Sequence, residues 1–426
     1  MDSPIKRPQS VPSKRKARAG YHNIQVSPLS PYPEQWQPHI FPSPIAAVPA
    51  SAASTSHPNP APFPQLPPDE NTVHQPLSSH PPPPIQPANK STHPGPLPTF
   101  HETPSSDLNS LLATFRSNIF LPSHLIHLQK TLLYRTKNHP LLTADEPATV
   151  KLGNEVHQLH PLDRTKDEPA TRASIARVTQ LMGETRDWRN LPEWLEGLRI
   201  AGRKVRGMQL EKMVRRAGEG GRGGVVMDCL RRVEGTGMGL WDLRVAREVF
   251  WCAVGRCVQG GWGKEEVERA GRWVEGVWEL CADPRHTEKM TRESDPKRRA
   301  EVVGVMVLVH AARVVLHGEK EAADAVGKYA EMMLGLWDSK EVGFEEGDWN
   351  DANYKMLMWA PVWRGMALAR NVVGETSPLG KQLGIKLSEE LEPLMQSGQA
   401  VLSAHPPAEG RRRGLKMCED LSQVTV

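Results

Sequence analysis

From residue 107 onward the apolar positions recur every three or four residues, the spacing that places them on one face of a helix. Asp107 offers a cap for a first helix carrying Leu111, Leu112 and Phe115. Pro122 suits the first turn of a second helix, which would carry Leu125, Leu128, Leu132 and Leu133. Between Thr149 and Leu159 the pattern changes to apolar–polar alternation around Gly153-Asn154. Glycine first in a two-residue turn suits a type II′ hairpin, so a small β-hairpin is predicted there.

Beyond Pro169 the helical pattern returns and persists. Ile175, Val178, Leu181 and Met182 form one stripe; Trp194, Leu195, Leu198 and Ala201 form the next. Two longer stripes follow, one from Val267 to Cys281 and one from Ala322 to Trp337. Ile385, Leu391, Leu394 and Met395 give a weaker one. Val302 to Leu316 is apolar nearly all round, which predicts a buried central helix. It carries His310 and Arg313 and is short for a bilayer, so no membrane span is expected. Pro361 predicts a kink or break between Tyr354 and Ala369.

The helices fall into pairs joined by short turns: 209–217 with 222–233, 246–258 with 264–280, 300–316 with 321–337, and 354–371 with 379–395. One pair cannot bury its apolar faces alone, whereas stacked pairs can. The predicted fold is therefore all-α, a solenoid-like stack of antiparallel helix pairs of the tetratricopeptide or pentatricopeptide kind, with the small hairpin near 149–159. About two-thirds of the 39 prolines precede Ser105, in a stretch with few acids and no apolar period. Such a segment cannot bury enough surface to offset its chain entropy. The expected organisation is a disordered arm over 1–105, helices and hairpin over 106–165, a helical-repeat domain over 166–400 and a disordered tail over 401–426.

A net charge of +4 is only mildly basic, so its distribution matters more than its sum. Between 199 and 232 stand Arg199, Arg203, Lys204, Arg206, Lys212, Arg215, Arg216, Arg222, Arg231 and Arg232, against only Glu211, Glu219 and Asp228. Arg199, Arg203 and Arg206 follow helical spacing. Such a ridge would neutralise phosphates, with Arg164, Lys166, Arg172 and Arg177 as an extension; the alternative is a solvated helix face paired with neighbouring acids. At the N-terminus, Lys14, Arg15, Lys16 and Arg18 resemble a nuclear import signal, while the acid-poor composition also fits a mitochondrial transit peptide. The run Pro81 to Pro84 reads as a spacer or a polyproline II segment.

Nothing in the sequence forms an enzyme site. Neither a Gly-x-Ser-x-Gly elbow nor a His-Glu-x-x-His motif occurs. The Gly-rich stretch 218–224 lacks the Gly-Lys-Ser/Thr ending of a phosphate loop and reads as a turn between helices. Five cysteines, spread through the chain, argue against a disulfide framework. Cys252 and Cys257, like Cys281 and His286, are five residues apart, which puts the two side chains on different helix faces. They read as core rather than zinc ligands. No cofactor and no small-molecule substrate are expected. Trp241, Trp251, Trp273 and Trp278 fall on predicted seams and should pack between pairs. Trp349, Trp359 and Trp363 cluster near Pro361 and offer a groove for a partner peptide.

The stretch from Leu210 to Leu240, LEKMVRRAGEGGRGGVVMDCLRRVEGTGMGL, resembles a pentatricopeptide repeat: a first helix ending in Ala217-Gly218, a turn at Gly221-Arg222, and a second helix ending before Gly237-Met238. The likeness is clearest over 209–284. Where that family reads bases with polar side chains on the first helix, this chain offers Glu211, Lys212 and Met213. The resemblance implies a scaffold of organellar RNA metabolism. The expected function is thus a non-enzymatic RNA-binding or ribonucleoprotein-assembly factor in the mitochondrion, with RNA and other proteins as partners. The competing reading is a protein–protein adaptor that holds a peptide or helix and carries linear motifs in its arm. For localisation, the nucleus is the alternative.

Overall fold

Where apolar residues repeat at helical spacing, the chain is helical. The computed structural model describes residues 96–143, 148–344, 348–404 and 412–424, all within the unit Ile85–Val426. The expectations for the arm up to 95, including Pro81 to Pro84 and Lys14, Arg15, Lys16 and Arg18, lie outside the described residues. Residues 96–105, assigned to the arm from their composition, belong to the fold. Leu97 and Thr103 are buried, and Asn190 clamps the backbone of His101, accepting from its N–H at 2.7 Å and donating to its carbonyl at 2.8 Å.

Helix α1 (Ser106–Phe115) is capped by Ser105, whose hydroxyl accepts the Leu108 N–H at 3.2 Å. Asp107 lies one residue inside, in the first turn, where its charge suits the helix dipole. The helix continues through a wider turn, Arg116–Phe120, into Leu121–His124, so Pro122 starts no separate helix. The break comes at Leu125–Ile126, and α2 (His127–Tyr134) follows. Leu128, expected in its apolar stripe, is instead 72% exposed. The hairpin forms as predicted: β1 (Thr149–Leu152) pairs antiparallel with β2 (Glu155–Gln158) in the register Leu152↔Glu155. Gly153 has φ 60°, and Asn154 is not among the residues of positive φ, as a type II′ turn requires.

The remainder is the expected stack of antiparallel pairs. After α3 (Thr171–Thr185) and α4 (Leu191–Ile200) come α5 (Gly207–Glu219) with α6 (Gly223–Arg231), and α7 (Leu243–Gln259) with α8 (Lys264–Leu280). Then follow α9 (Ala300–His317) with α10 (Ala323–Gly335), and α11 (Trp349–Val373) with α12 (Pro378–Lys386), α13 (Glu392–Ala404) and α14 (Arg413–Ser422). Each pair packs internally and on the next: α5 on α7, α8 on α9, and α9 on α11. Helix α9 is long and apolar enough to cross a membrane. Its first thirteen residues, Ala300 to Ala312, are all buried inside the stack, among α7, α8, α10 and α11. It is a core helix.

Helices α9 and α11 meet at two glycines. A Cβ on Gly304 would stand 2.6 Å from a methyl of Val362, and one on Gly365 would stand 3.0 Å from the Leu308 nitrogen. Only hydrogen fits between these backbones. Helix α11 runs unbroken through the buried Pro361, so of the kink or break expected there the break does not occur. A proline costs an isolated helix about 3 kcal/mol, but here residues on both sides of it, from Ala352 to Ala369, are packed into the core.

Within the expected C-terminal tail, the described residues 401–404 and 412–424 are part of the fold. Helix α14 buries Met417, Cys418 and Leu421 and packs on α11. The carboxylate of Glu248, on α7 and 1% exposed, takes two bonds from Arg413, one of 2.6 Å and one shorter. Its polar composition hid a single apolar stripe.

The Gly304–Gly365 contact generates a paired prediction. Gly365→Val should destabilise the fold by about 1–3 kcal/mol, the usual cost of overpacking. Gly327→Ala, on α10 where an added Cβ meets nothing within 4 Å, should instead stabilise by roughly 0.5–1 kcal/mol. Urea denaturation of the two variants beside the parent chain gives both signs; equal behaviour would refute the close-packing account.

Candidate nucleic-acid interface

The ten cations between 199 and 232 do not form one uniform face. Three are tied to carboxylates. Arg203 pairs with Glu168 and donates to the Thr171 hydroxyl at 3.0 Å. Arg215 lies 3.6 Å from Glu211, one turn earlier on α5. Arg232 reaches back to α4 and grips Glu193 at 2.8 Å and Glu196 at 2.6 Å. These two carboxylates push the Arg232 pKa up, the Glu196 hydrogen bond contributing most. Arg222 is exposed and caps a neighbour, donating to the Arg186 carbonyl at 3.0 Å; Arg186 itself ends α3 in the left-handed conformation, at φ 54°.

The other six are exposed: Arg199, Lys204, Arg206, Lys212, Arg216 and Arg231. Among the described residues none of them has a carboxylate within salt-bridge distance. Lys212 and Arg216 stand one turn apart on the outer side of α5. Arg199 closes α4, where positive charge meets the negative end of the helix dipole, and its guanidinium lies over Gly237. Lys204 and Arg206 sit on the connection between α4 and α5. Of the proposed extension, Lys166 and Arg177 have loose acidic partners at 3.9 and 3.4 Å. Arg172 is exposed, and Arg164 lies against Tyr134.

Two glycines of the turn at 218–223 answer to packing, and Gly221 to its left-handed φ of 71°. A Cβ on Gly218 would come within 2.4 Å of the Cys252 sulfur, and one on Gly223 within 2.9 Å of the Trp273 ring. Trp273 itself donates from Nε1 to the Val249 carbonyl at 2.9 Å. Trp251 is buried, and Trp273 and Trp278 pack against the core, as their seam positions predict.

The cysteines and His286 are structural. Among the described residues no three His, Cys, Asp or Glu side chains are grouped to hold a metal. Burial pushes the thiols of Cys257 and Cys281 up to about 12, which leaves them inert. His286 is fully buried: its Nδ1 accepts the Leu240 N–H at 3.2 Å, and its Nε2 lies 3.1 Å from the Leu230 carbonyl. That pairing needs the neutral ring with the proton on Nε2. Its role in joining the end of α6 to the connection at Leu240 was not readable from spacing. The three tryptophans offered as a partner groove are not brought together as one. Trp359 is fully buried against Trp337, with ring centroids 5.2 Å apart, and Trp349 and Trp363 are partly buried against the same core.

Two predictions follow from these placements. Arg232→Ala should lose about 1 kcal/mol, the upper range for an ion pair whose arginine is 41% exposed. The double change Lys212→Ala, Arg216→Ala should stay within about 0.5 kcal/mol of the parent. Denaturation midpoints separate the two classes of cation. For His286, burial lowers the pKa below the ordinary 6.5. The unfolded chain therefore takes up the proton first, so this stability is whole above pH 6.5 and is lost as pH falls below it. His310, also buried and also lowered, acts in the same direction. Melting temperatures should drop from pH 7.5 to 5.5, less steeply in His286→Phe; a flat profile would refute the assignment.

Comparison with known proteins bears on the whole unit. The family model described as mitochondrial ribosomal protein mS27 matches residues 87–420. The small ribosomal subunit protein mS27 of Neurospora crassa is 25% identical over 261 residues, covering 57% of this chain and 65% of its own length, just under two thirds. The chain belongs to the mitochondrial ribosomal protein mS27 family, and it is mitochondrial. This corrects the pentatricopeptide resemblance: the family spans 87–420, not a repeat over 209–284. Of the glycines in the cadence that suggested it, Gly218 stands against Cys252, while Gly221 and Gly237 hold left-handed turns at φ 71° and 72°.

Proposed function

We propose that this member of the mS27 family is a non-enzymatic structural component of the mitochondrial small ribosomal subunit. The observation that carries this reading is the extent of the family match, which includes every helix from α1 to α13 and most of α14. The physical arrangement supports it. The stack is built from helix pairs with a buried core, and its ionisable core groups are ion-paired or hydrogen-bonded, as Glu248, Glu301 and His286 are. Such a unit serves as a scaffold. The exposed cations without acidic partners are available to phosphates, and their contribution to binding would weaken with salt.

In this reading the RNA-facing set is narrower than the charge count suggests: Arg199, Lys204, Arg206, Lys212, Arg216 and Arg231, with Arg222 at its edge. Arg203 and Arg232 tie neighbouring elements together, and Arg215 is paired within α5. The partners are ribosomal RNA and neighbouring ribosomal proteins.

Sedimentation of mitochondrial lysate from cells carrying a tagged chain provides the test. The chain should migrate with the small-subunit ribosomal RNA and shift to light fractions after ribonuclease treatment. Recovery only in light fractions, before any ribonuclease, would overturn the proposal. Replacing Lys212 and Arg216 by Ala should flatten the dependence of log affinity for RNA on log salt by roughly one and a half to two units, without loss of fold.

A further inference from the structure

The turn from Ile200 to Arg203 forms one wall of a groove beside the ridge. The groove has two halves, of about 550 and 650 Å³, which share Lys130, Tyr134 and Arg164. One half runs to the Ile200–Arg203 turn and the other to Arg135 and His139. At the shared waist the Arg164 guanidinium lies over the Tyr134 ring, 4.2 Å from its centroid. The Arg164 side chain is 66% exposed, so the guanidinium is open to solvent on its other side.

This stack is built rather than accidental. Tyr134 donates its hydroxyl to Glu168 at 3.1 Å. Arg203 pairs with the second oxygen of the same carboxylate, and Arg164 lies 3.9 Å from the first. Glu168 is therefore neutralised by its neighbours while it fixes the tyrosine ring. The other acid of the groove, Asp163, is occupied by the Thr165 N–H and hydroxyl, at 2.8 and 2.6 Å, with Lys166 at 3.9 Å. The cations Lys130, Arg135, Arg164 and Arg203 outnumber these two acids. Exposed Lys204 and Arg206 continue the positive charge beyond the turn toward the ridge.

A positive groove with an exposed guanidinium held over an aromatic ring at its centre has the features that recognise single strands: cations that follow the backbone and a planar group on which an unstacked base can lie. An acidic peptide would use the charges but has no need of the platform. We propose that this groove binds a single-stranded RNA segment, with one base stacked on the open face of Arg164 and phosphates on Lys130, Arg135 and the Arg203–Lys204 turn. The inference rests on the ribonucleoprotein reading above and assigns it a second contact, which adjoins the ridge at Lys204.

The test uses the full chain and a fluorescently labelled oligouridine of about twelve nucleotides, a length suited to single-strand sites, at several salt concentrations. Arg164→Ala should weaken binding roughly 5- to 100-fold, the range of a lost stacking platform. Arg164→Lys keeps the charge without the plane and should lose most of the same factor. Arg135→Gln should weaken binding and lower the salt slope by about 0.7, one single-strand phosphate contact. Unchanged melting curves would establish that the variants are folded. Parent-like binding by Arg164→Lys would overturn the stacking site. So would equal binding of duplex RNA, or displacement of the probe by polyglutamate as readily as by unlabelled oligouridine, which would indicate a protein occupant. No binding at low salt by the parent chain would overturn this inference, while co-sedimentation with the small subunit would leave the ribosomal reading standing.

Discussion

The stack depends on the crossing of α9 and α11. Helix α9 is buried over all of its first thirteen residues, which are apolar apart from Glu301 and His310, so it is stable only where other helices cover it completely. Gly304 and Gly365 let α11 approach to backbone contact, which leaves no gap on that side. The remaining faces of α9 are closed by α7, α8 and α10, while α11 in turn carries α12, α13 and α14. Apolar burial is worth about 25 cal/mol per Å², and the centre of the stack is where the largest continuous apolar surface is removed from water. Polar ties then fix the orientation of the outer helices. Glu301, fully buried on α9, takes Arg247 of α7 at 2.6 Å, and Arg247 also donates to the Tyr354 hydroxyl of α11 at 2.9 Å. A carboxylate without those partners would be costly at that depth, so the position of three helices is coupled to one charge.

Much of this was legible because burial leaves a period in the sequence. The stripes Val267 to Cys281 and Ala322 to Trp337 and the run Val302 to Leu316 gave their helices within a few residues. The hairpin was legible for a different reason: alternation together with a glycine at the turn position that needs positive φ. What failed was local chemistry overruled by tertiary context. Asp107 and Ser105 are both good caps, and the choice fell to Ser105 because the start of α1 is held by Thr103 and Asn109, whose side chains hydrogen-bond at 2.7 Å. Pro361 ought to break a helix, yet its neighbours gain more from packing on both sides than the helix loses. Helix α14 was missed because a ten-residue segment with three buried apolar residues looks like a polar tail until α11 and Glu248 are in place.

The candidate interface was legible as an excess of charge and illegible as a geometry. A window from 199 to 232 counts the acids inside it and ignores those outside. Glu168, Glu193 and Glu196 lie outside, and they claim Arg203 and Arg232. The tryptophans near Pro361 misled in the opposite direction, since aromatic residues close in sequence suggested a surface groove where helical rotation puts one of them at the centre of the core. The platform of Tyr134 and Arg164 left no signal in either residue's surroundings. They are thirty positions apart, on either side of the hairpin, and only the folded chain superposes them.

Arg203 joins these observations. Counted as a charge, it belongs to the ridge; by its contacts it is a positioning residue, because its pairing with Glu168 fixes the carboxylate that holds Tyr134. The cations of this chain therefore divide by what they touch. Those bonded to Glu168, Glu193, Glu196, Glu248 and Glu301 orient helices and loops, and their loss would be felt first as stability. Those that are exposed and have no carboxylate within salt-bridge distance, such as Lys204 and Lys212, cost the fold little when removed and are available to a polyanion. The ribonucleoprotein scaffold proposed for this chain uses both kinds. The paired set makes the positions of the free set reproducible, and a rigid array of free cations can match a fixed arrangement of phosphates without first losing conformational entropy.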